Sequence, residues 1–248
     1  MTPRVLTVAG SDSSGGAGIQ QDLKTFDALG VWGLSAVTSV TAQDSRGVRA
    51  RHDLSPDVVA AQIEAATSDG GIDAAKTGML GSAATVEAVA RTLGAIPRLV
   101  VDPVIAASAG GRLLDDDGID AVRSLLIPLA AIVTPNADEA GVLTGIDTYD
   151  RDSQRAAAGA MLKLGCGAVV ITGGHLPGRD VVDLYADADG EAEILGGRVE
   201  VADTHGTGCM FSAALAAHLA RGTGGLDAAR AARAFVERAL RARPGGTR

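Results

Sequence analysis

The sequence has few cysteines, a deficit of basic charge and no long apolar run, and each of these excludes a class of protein. Two cysteines in 248 residues cannot form a disulfide framework, which indicates a reducing compartment. With 30 acidic against 22 basic residues, the net charge of −8 argues against a sequence-independent nucleic-acid binder. No apolar run approaches the roughly 18 residues of a membrane-spanning helix. Because residues 1–4 lead directly into a strand-like segment without a signal-peptide pattern, we expect a cytoplasmic protein without nucleic-acid or membrane partners.

Short β-branched runs are present instead, and they alternate with longer segments of helical spacing. The runs lack polar alternation, as strands buried on both faces of a parallel sheet do. The strand candidates are 5–9, 35–40, 99–101, 131–133 and 168–171, with 72–77 as a weaker one. Predicted helices begin at Ser55 and Ser82 and cover 116–126, 136–143 and 151–164. This alternation predicts an α/β fold whose mostly parallel sheet is covered by helices on both faces.

The last third of the chain departs from this alternation. Two extended runs, 181–186 and 191–201, flank Asp189-Gly190, which is a hairpin signal and predicts antiparallel strands at an edge of the sheet. Alanine-rich helices are predicted over 206–221 and 226–241, and residues 243–248 are expected to form a disordered tail.

Glycine is abundant, with 33 residues, and two loops concentrate it. The first loop, 9–18, follows the first strand and matches neither a dinucleotide-binding fingerprint nor a P-loop. Its small residues would let a ligand approach the backbone at the carboxyl edge of the sheet, or would simply form a tight turn with capping serines. The second loop, 203–209, precedes an alanine-rich helix, where free N–H groups bind anions such as phosphate. A glycine-rich helix start without a ligand is the alternative.

Polar side chains follow two of the predicted strands. Asp102 comes directly after 99–101, and Asn136 and Glu139 follow 131–133. Carboxylates at this edge suit a hard divalent cation held together with nucleotide phosphates and water. Asn136 and Glu139 also have the spacing of a helix capping box, an interpretation that is compatible with a metal site.

Taken together, these segments resemble the ribokinase-like superfamily, and most closely its bacterial hydroxymethylpyrimidine/phosphomethylpyrimidine kinases. The segments that carry the resemblance are 9–24, 41–43, 76–80, 101–104, 134–136 with Glu139, 173–175 and 204–209. The resemblance implies a three-layer α/β/α kinase domain over 1–242, with a mostly parallel central sheet and antiparallel edge strands.

The family resemblance also implies an activity. Such kinases use ATP and Mg²⁺ to phosphorylate 4-amino-5-hydroxymethyl-2-methylpyrimidine, and then its monophosphate, for thiamine biosynthesis. They often form homodimers, so we expect a homodimer here.

Site residues follow from the same resemblance, position by position. The pyrimidine would be bound by Gly10, Ala17, Asp22, Gln43 and Met79. The nucleotide and its phosphates would be bound by Asn136, Thr172, Thr204, Gly206 and Gly208, and the metal by Asp102 and Glu139. The catalytic group would comprise Cys209 with Gly206, Thr207 and Gly208. Cys209 replaces the aspartate of sugar kinases. A thiol with a pKa lowered by the helix N-terminus could accept the hydroxyl proton, or Cys209 could be a small residue that fits the site.

The sequence departs from the family pattern at two positions near the phosphates. Thr172 and Ser108 stand where relatives usually have lysine, in a chain with only three lysines against 19 arginines. Loss of these charges would weaken charge stabilisation, and more so for the already charged monophosphate. The adenine is expected near 223–226.

Two further functions stay open from the sequence. A pyridoxal/pyridoxine kinase of the same fold would act on a similar hydroxymethyl heteroaromatic. A degenerate, non-catalytic pyrimidine-binding protein would bind without phosphorylating.

Overall fold

The computed structural model describes residues 1–44, 47–94, 96, 98–107, 110–175, 180–201 and 204–243. Within them, strands of one sheet run in the order β3-β2-β1-β4-β5-β6-β7-β8-β9. The strands are β1 (Arg4–Asp12), β2 (Trp32–Asp44), β3 (Gly47–Asp53), β4 (Ala74–Thr77), β5 (Leu99–Val101), β6 (Ile132–Val133), β7 (Ala168–Ile171), β8 (Asp180–Asp187) and β9 (Gly190–Gly197). The six central strands are parallel to one another; they are β2, β1, β4, β5, β6 and β7. The edge strands β3, β8 and β9 are antiparallel to their neighbours.

Helices cover both faces of the sheet. They are α1 (Gly18–Ala28), α2 (Pro56–Ser68), α3 (Ala83–Leu93), α4 (Asp116–Ala121), α5 (Ala137–Thr144), α6 (Arg151–Lys163), α7 (Thr207–Ala220) and α8 (Gly225–Arg241). A π-helical turn (Val122–Leu126) and two 3₁₀ turns (Ile127–Leu129 and Gly173–His175) complete the helical elements of the described residues. One hydrophobic core lies between the sheet and α2–α6, and a second lies between the sheet and α1, α7 and α8. The predicted three-layer α/β/α fold with a mostly parallel sheet is therefore confirmed.

The helix boundaries follow from local chemistry. Asn136 and Glu139 form the predicted capping box: Glu139 N donates to Asn136 Oδ1 at 2.9 Å, and Asn136 N donates to Glu139 Oε2 at 3.0 Å. The helix ends at Gly145, which has a φ of 74°. This capping fixes the start of α5 at the carboxyl edge of β6.

The edges of the sheet differ from the prediction. Strand β3 was not predicted, because its exposed, charge-bearing sequence has no β-branched run; such residues are typical of edge strands. It pairs with β2, which extends to Asp44 rather than ending at Val40. Strand β9 ends at Gly197 rather than at residue 201. Of the predicted tail 243–248, only Arg243 lies within the described residues.

No helix in the described part of the chain is both long and apolar enough to span a membrane.

Candidate active site

A cavity of about 540 Å³ opens where the parallel strands end. Ligands of open α/β sheets bind at this edge, beyond the carboxyl ends of the strands. The predicted site residues that line it are Gly10, Ala17, Gln43, Met79, Asp102, Asn136, Glu139, Thr172, Thr204, Gly206, Thr207, Gly208 and Cys209. Residues separated by almost the whole chain are thus brought to one cavity, and only Asp22 of the predicted set does not line it.

The first glycine-rich loop is folded around the carboxylate of Asp12. Ser14 N donates to Oδ1 at 2.8 Å, while Ser14 Oγ at 2.9 Å and Ala17 N at 2.8 Å donate to Oδ2. Burial opposes the charge, but the hydrogen bonds from His205, Ser14 and Ala17 hold the pKa of Asp12 below its ordinary value. The loop is therefore organised by an ionised, acceptor-only group.

The two glycine-rich loops touch through their backbones. Gly206 has a φ of 74°, and a Cβ there would lie 1.9 Å from the carbonyl oxygen of Gly16. Glycine is required at 206 for both reasons, since side chains rarely adopt this conformation and no space exists for one. His205 Nε2 joins the loops a second time, 2.9 Å from Asp12 Oδ2.

Gly10, Ala17, Gln43 and Met79, the residues predicted to bind the pyrimidine, line the cavity together, and the part of the cavity that they line is called the pyrimidine end. A Cβ on Gly10 would lie 3.1 Å from Met79 Sδ, so the glycine keeps this end open. Gln43 lies near the end of β2, where its backbone N donates to Ser13 Oγ at 2.9 Å and its carbonyl accepts from the same hydroxyl at 3.0 Å. The first loop and the end of β2 therefore hold each other in place.

Asp22 lies beneath the cavity rather than in it. Its carboxylate is fully buried, accepting a hydrogen bond from Thr7 Oγ1 at 2.6 Å and from Lys76 Nζ at 3.0 and 3.1 Å. The expected direct contact of Asp22 with the pyrimidine is not what the described geometry shows, because α1 turns this residue towards the sheet. Asp22 is the partner of a buried cation.

That cation, Lys76 on β4, also serves Asp102. Its Nζ is 3.6 Å from Asp102 Oδ2, which accepts a further hydrogen bond from Ser212 Oγ at 2.8 Å. Burial disfavours the ammonium, but the carboxylates of Asp22 and Asp102 raise the pKa of Lys76, so it stays charged. One of the three lysines of the chain thus places a permanent positive charge below the cavity floor.

The second carboxylate of the cavity has no such cation. Burial, followed by the charge of Asp102, raises the pKa of Glu139 to about 8. Burial also raises the pKa of Asp102, while Lys76 opposes that shift. Because these two buried carboxylates line one cavity and repel each other, the binding of a cation beside them is favoured.

The hydroxyl group of Thr134 is a further oxygen donor that lines the cavity. It is buried and has no hydrogen bond among the described residues. Oxygen donors of this kind suit Mg²⁺, which keeps several waters and phosphate oxygens as ligands. Among the described residues, no group of three or more His, Cys, Asp or Glu side chains could hold a metal ion without such help.

The first turn of α7 is the predicted anion site. Thr207, Gly208 and Cys209 line the cavity, and the first N–H groups of a helix have no partner within that helix. The Thr207 N–H donates to the Thr204 carbonyl at 3.3 Å, so Gly208 and Cys209 are the candidate donors to an anion. A Cβ on Gly208 would meet no atom within 4 Å, so this residue faces open space. A phosphate can therefore approach the backbone closely.

Of the two alternatives for Cys209, the structure favours the small residue that fits the site over the thiolate base. Burial and the charges of Asp102 and Asp22 raise the pKa of the thiol to about 12, although Lys76 and the Gly18 amide favour the thiolate. The helix N-terminus alone left both alternatives open, because the carboxylates around the thiol are distant in sequence. Cys209 is a neutral thiol at pH 7.

The nucleotide end of the cavity contains Thr172, Gly174, Arg233 and Val236. Arg233 of α8 is the only arginine or lysine lining the cavity within the described residues, and it forms an ion pair with Asp183. Asp183 also accepts a hydrogen bond from Gly173 N at 2.9 Å. Residues 223–226, expected near the adenine, do not line the cavity, and Ser108 lies outside the described residues.

Several residues that shape this site had no role predicted from the sequence. Asp12, His205 and Lys76 lie within the recognised motifs, and their polar character there was the available signal. Ser212 and Arg233 lie in helical segments without a motif, and only the fold brings Ser212 to Asp102 and Arg233 to the cavity.

Solved structures with this fold are kinases. The chain has a TM-score of 0.85 and 36% identity to a phosphomethylpyrimidine kinase from Clostridium difficile, covering 96% of this chain and 100% of that one. The TM-score to a pyridoxal kinase of Bacillus subtilis, solved with ADP, is 0.91 at 38% identity, covering 97% and 92%. Fold and site therefore define a kinase of the ribokinase-like class.

Sequence comparison defines the family within that class. The profile of the phosphomethylpyrimidine kinase family matches residues 12–247. A hydroxymethylpyrimidine/phosphomethylpyrimidine kinase of Rhizobium meliloti is 45% identical over 244 residues, covering 98% of this chain and 92% of the relative. This chain belongs to the phosphomethylpyrimidine kinase family, which confirms the resemblance and the phosphotransferase class inferred from the sequence.

Proposed function

We propose that this protein transfers the γ-phosphoryl group of ATP to the hydroxymethyl group of 4-amino-5-hydroxymethyl-2-methylpyrimidine, and then to the resulting monophosphate. The observation that carries the proposal is the union, in one cavity, of an amide suited to an aminopyrimidine and an anion site at a helix N-terminus. Family membership and the names of the relatives support the same substrates.

At the pyrimidine end, Gln43 binds the ring edge. Its amide offers both a donor and an acceptor, which matches a ring nitrogen next to an amino group. Gly10, Ala17 and Met79 close around the ring and leave the hydroxymethyl group directed to the first turn of α7.

At the phosphate end, backbone groups stabilise the transferring phosphoryl group. The N–H groups of Gly208 and Cys209, together with the helix dipole, stabilise negative charge where the phosphate passes, while the Thr207 N–H donates to the Thr204 carbonyl at 3.3 Å. Phosphoryl transfer has a loose transition state and depends mainly on positioning and electrostatic stabilisation. A neutral Cys209 is compatible with this chemistry and acts as a small neighbour of the reacting groups rather than as a thiolate base.

The part of the cavity lined by Asp102, Glu139 and Thr134 would hold Mg²⁺. Asp102 and Glu139, with the hydroxyl of Thr134, would bind it together with water and phosphate oxygens. When bound, Mg²⁺ neutralises charge on the nucleotide phosphates. Lys76 Nζ, 3.6 Å from Asp102 Oδ2, favours the carboxylate form of Asp102, and the capping box orients Glu139.

We also propose that the second phosphorylation is the slower step. Thr172 supplies no charge, and both Nε and Nη2 of Arg233 are bound to Asp183. The monophosphate brings additional negative charge into this cavity. Comparing kcat/KM for the alcohol and the monophosphate tests this, and a faster reaction with the monophosphate would contradict it.

The experiment that tests the main proposal is a coupled ADP assay with wild type and Gln43→Ala. Pyrimidine-dependent ADP formation by wild type excludes a merely binding protein. In Gln43→Ala we expect the KM for the pyrimidine to rise about tenfold, with little effect on ATP. Gln62→Ala is the matched control. The Gln62 amide, on α2, hydrogen-bonds the backbone of Val37 on β2, the strand that also holds Gln43, and Gln62 does not line the cavity. An equal loss for both substrates would mean that the pyrimidine end is misassigned.

Pyridoxine phosphorylation is the second candidate. The high TM-score to a pyridoxal kinase favours it specifically. Turnover of the two alcohols under the same conditions decides between them, and we expect the aminopyrimidine to be preferred.

Oligomeric state and location extend the proposal. We expect a cytoplasmic homodimer. Both cysteines are free, as in a reducing compartment, and Trp32 and Val40 on β2 are 63% and 51% exposed. Light scattering at working concentration measures the mass directly, and a monomer would contradict the dimer.

A further inference from the structure

One ring nitrogen of His205 meets two residues at the junction of the glycine-rich loops. His205 Nε2 lies 2.9 Å from Asp12 Oδ2 and 3.3 Å from Gln43 Nε2. The imidazole is only 13% exposed, so these contacts are formed away from bulk water. Whether Nε2 is protonated determines whether it donates a hydrogen bond to these neighbours or accepts one from them.

Asp12 decides which atom holds the proton. As an ionised carboxylate that already accepts from Ser14 and Ala17, it can only accept from His205. His205 therefore has a hydrogen on Nε2 and donates it to Asp12. A protonated Nε2 has no lone pair and cannot accept from the Gln43 amide, so the amide atom beside it is the oxygen, which can share the same hydrogen as a second, weaker acceptor.

Thr41 constrains the other atom of the same amide. Its Oγ1 lies 3.0 Å from the carbonyl oxygen of Ser11 and 3.2 Å from Gln43 Oε1. A hydroxyl has one hydrogen, and a carbonyl can only accept, so Thr41 donates to Ser11 and needs a donor from Gln43. A half-turn of the amide, which exchanges Oε1 and Nε2, removes both conflicts: Nε2 then donates to Thr41 Oγ1, and Oε1 lies beside the His205 N–H.

We infer that Asp12 and His205 are positioning residues that fix the orientation of the Gln43 amide, and that this orientation selects a ring edge with a donor beside an acceptor. The inference deepens the proposed function and rests on Gln43 facing the pyrimidine. His205 itself acts through Gln43 and is not assigned a contact with the reacting atoms.

The fixed amide has one lone pair of Oε1 and one hydrogen of Nε2 left for a ligand. A 4-aminopyrimidine presents the complementary pair, because its amino group is attached next to a ring nitrogen. In a pyridoxine-type ring, a methyl-bearing carbon separates the hydroxyl from the ring nitrogen, so the same pair is absent. A freely turning amide would accept either ligand with less discrimination.

Two substitutions at His205 test the inference. His205→Leu removes the donor to both neighbours, whereas His205→Gln can place amide hydrogens on both. For His205→Leu we expect the KM for the aminopyrimidine to rise about tenfold, with kcat and the KM for ATP little changed. The analogue without the amino group should lose much less, so the preference for the amino group falls. His205→Gln should restore most of the preference.

A readout without substrate separates this inference from the proposed function. The side-chain amide resonances of Gln43, assigned by their loss in Gln43→Glu, should move in His205→Leu and return towards wild type in His205→Gln. If the wild type formed no ADP with any pyrimidine, the proposed function would fail while this amide measurement still tested the orientation.

Three outcomes would overturn the inference. One is an equal rise of KM for ATP and pyrimidine in His205→Leu, which would make His205 a support of the anion site. Another is failure of a normally folded His205→Gln, verified by thermal unfolding, to restore the preference. The third is unchanged Gln43 amide resonances in His205→Leu.

Discussion

The two ends of the cavity differ in how far the protein completes them. At the pyrimidine end, Asp12, His205, Gln43 and Thr41 hydrogen-bond one another before any ligand binds. At the phosphate end, the charge of Asp102 raises the pKa of Glu139, and the first turn of α7 lines the cavity with N–H groups that the helix itself does not bind. Under the proposed function, the first end is preorganised for a neutral ring, whereas the second is complementary to the charges of Mg²⁺ and phosphate. A chain with three lysines would then bind ATP through backbone N–H groups and through carboxylates that hold Mg²⁺.

The largest expected effect is at Lys76, which lies beneath both ends. Lys76→Met leaves Asp22 buried without its cation, so we expect a loss of about 3–5 kcal/mol in the free energy of unfolding. Denaturant unfolding measures it, with the exposed Lys163→Met as the matched control. The double variant Lys76→Met/Asp22→Asn should regain much of the stability. If the single variant were as stable as wild type, the ion pair would have no structural role.

Next in size is the loss of activity in Gly208→Val. Because a Cβ at 208 meets no atom within 4 Å, the fold should tolerate the change, while the side chain occupies the phosphate position. We expect kcat to fall about 100-fold or more, with an unfolding midpoint close to that of Gly159→Val in the interior of α6. Undiminished activity would remove the first turn of α7 from the mechanism.

The pH dependence of stability sharpens the contrast at Glu139. Its ordinary pKa is 4.5 and its folded value is about 8, so between these values the unfolded chain has released the proton that the folded protein keeps. Rising pH therefore favours unfolding over this range, by up to about 1.4 kcal/mol per pH unit. Urea midpoints without Mg²⁺ should fall from about pH 5 to 8 in wild type and change less in Glu139→Gln. A wild-type profile as flat as that of the variant would contradict the raised pKa.

The smallest effect is expected at Cys209. A neutral thiol with a pKa of about 12 is not a base at pH 7, so Cys209→Ser should keep activity within about tenfold of wild type. Loss of a true general base would cost about 100-fold or more. Single-turnover rates distinguish the two results, and the larger loss would mean that Cys209 acts as a thiolate base.

Sequence patterns predicted the central strands well because buried parallel strands consist of continuous β-branched runs, as at Ala168–Ile171. Edge strand β3 was missed, because an exposed strand needs no such run. The glycine-rich motifs located the cavity, since their backbone requirements are local. The protonation state of Cys209 stayed open from the sequence, because the carboxylates that raise its pKa come from other elements.

The sequence alone determined the alternation of strands and helices, the two loops and the family resemblance, since these depend on residue type and spacing. Only the tertiary structure decided that Asp22 faces Lys76 instead of the cavity, that His205 joins Asp12 to Gln43, and that Arg233 reaches the nucleotide end. Hydrogen bonds and close charge contacts act over a few ångströms in space, whereas these partners are far apart in sequence. Asp22 and Lys76 are separated by 54 residues, and His205 is separated from Asp12 by 193 and from Gln43 by 162.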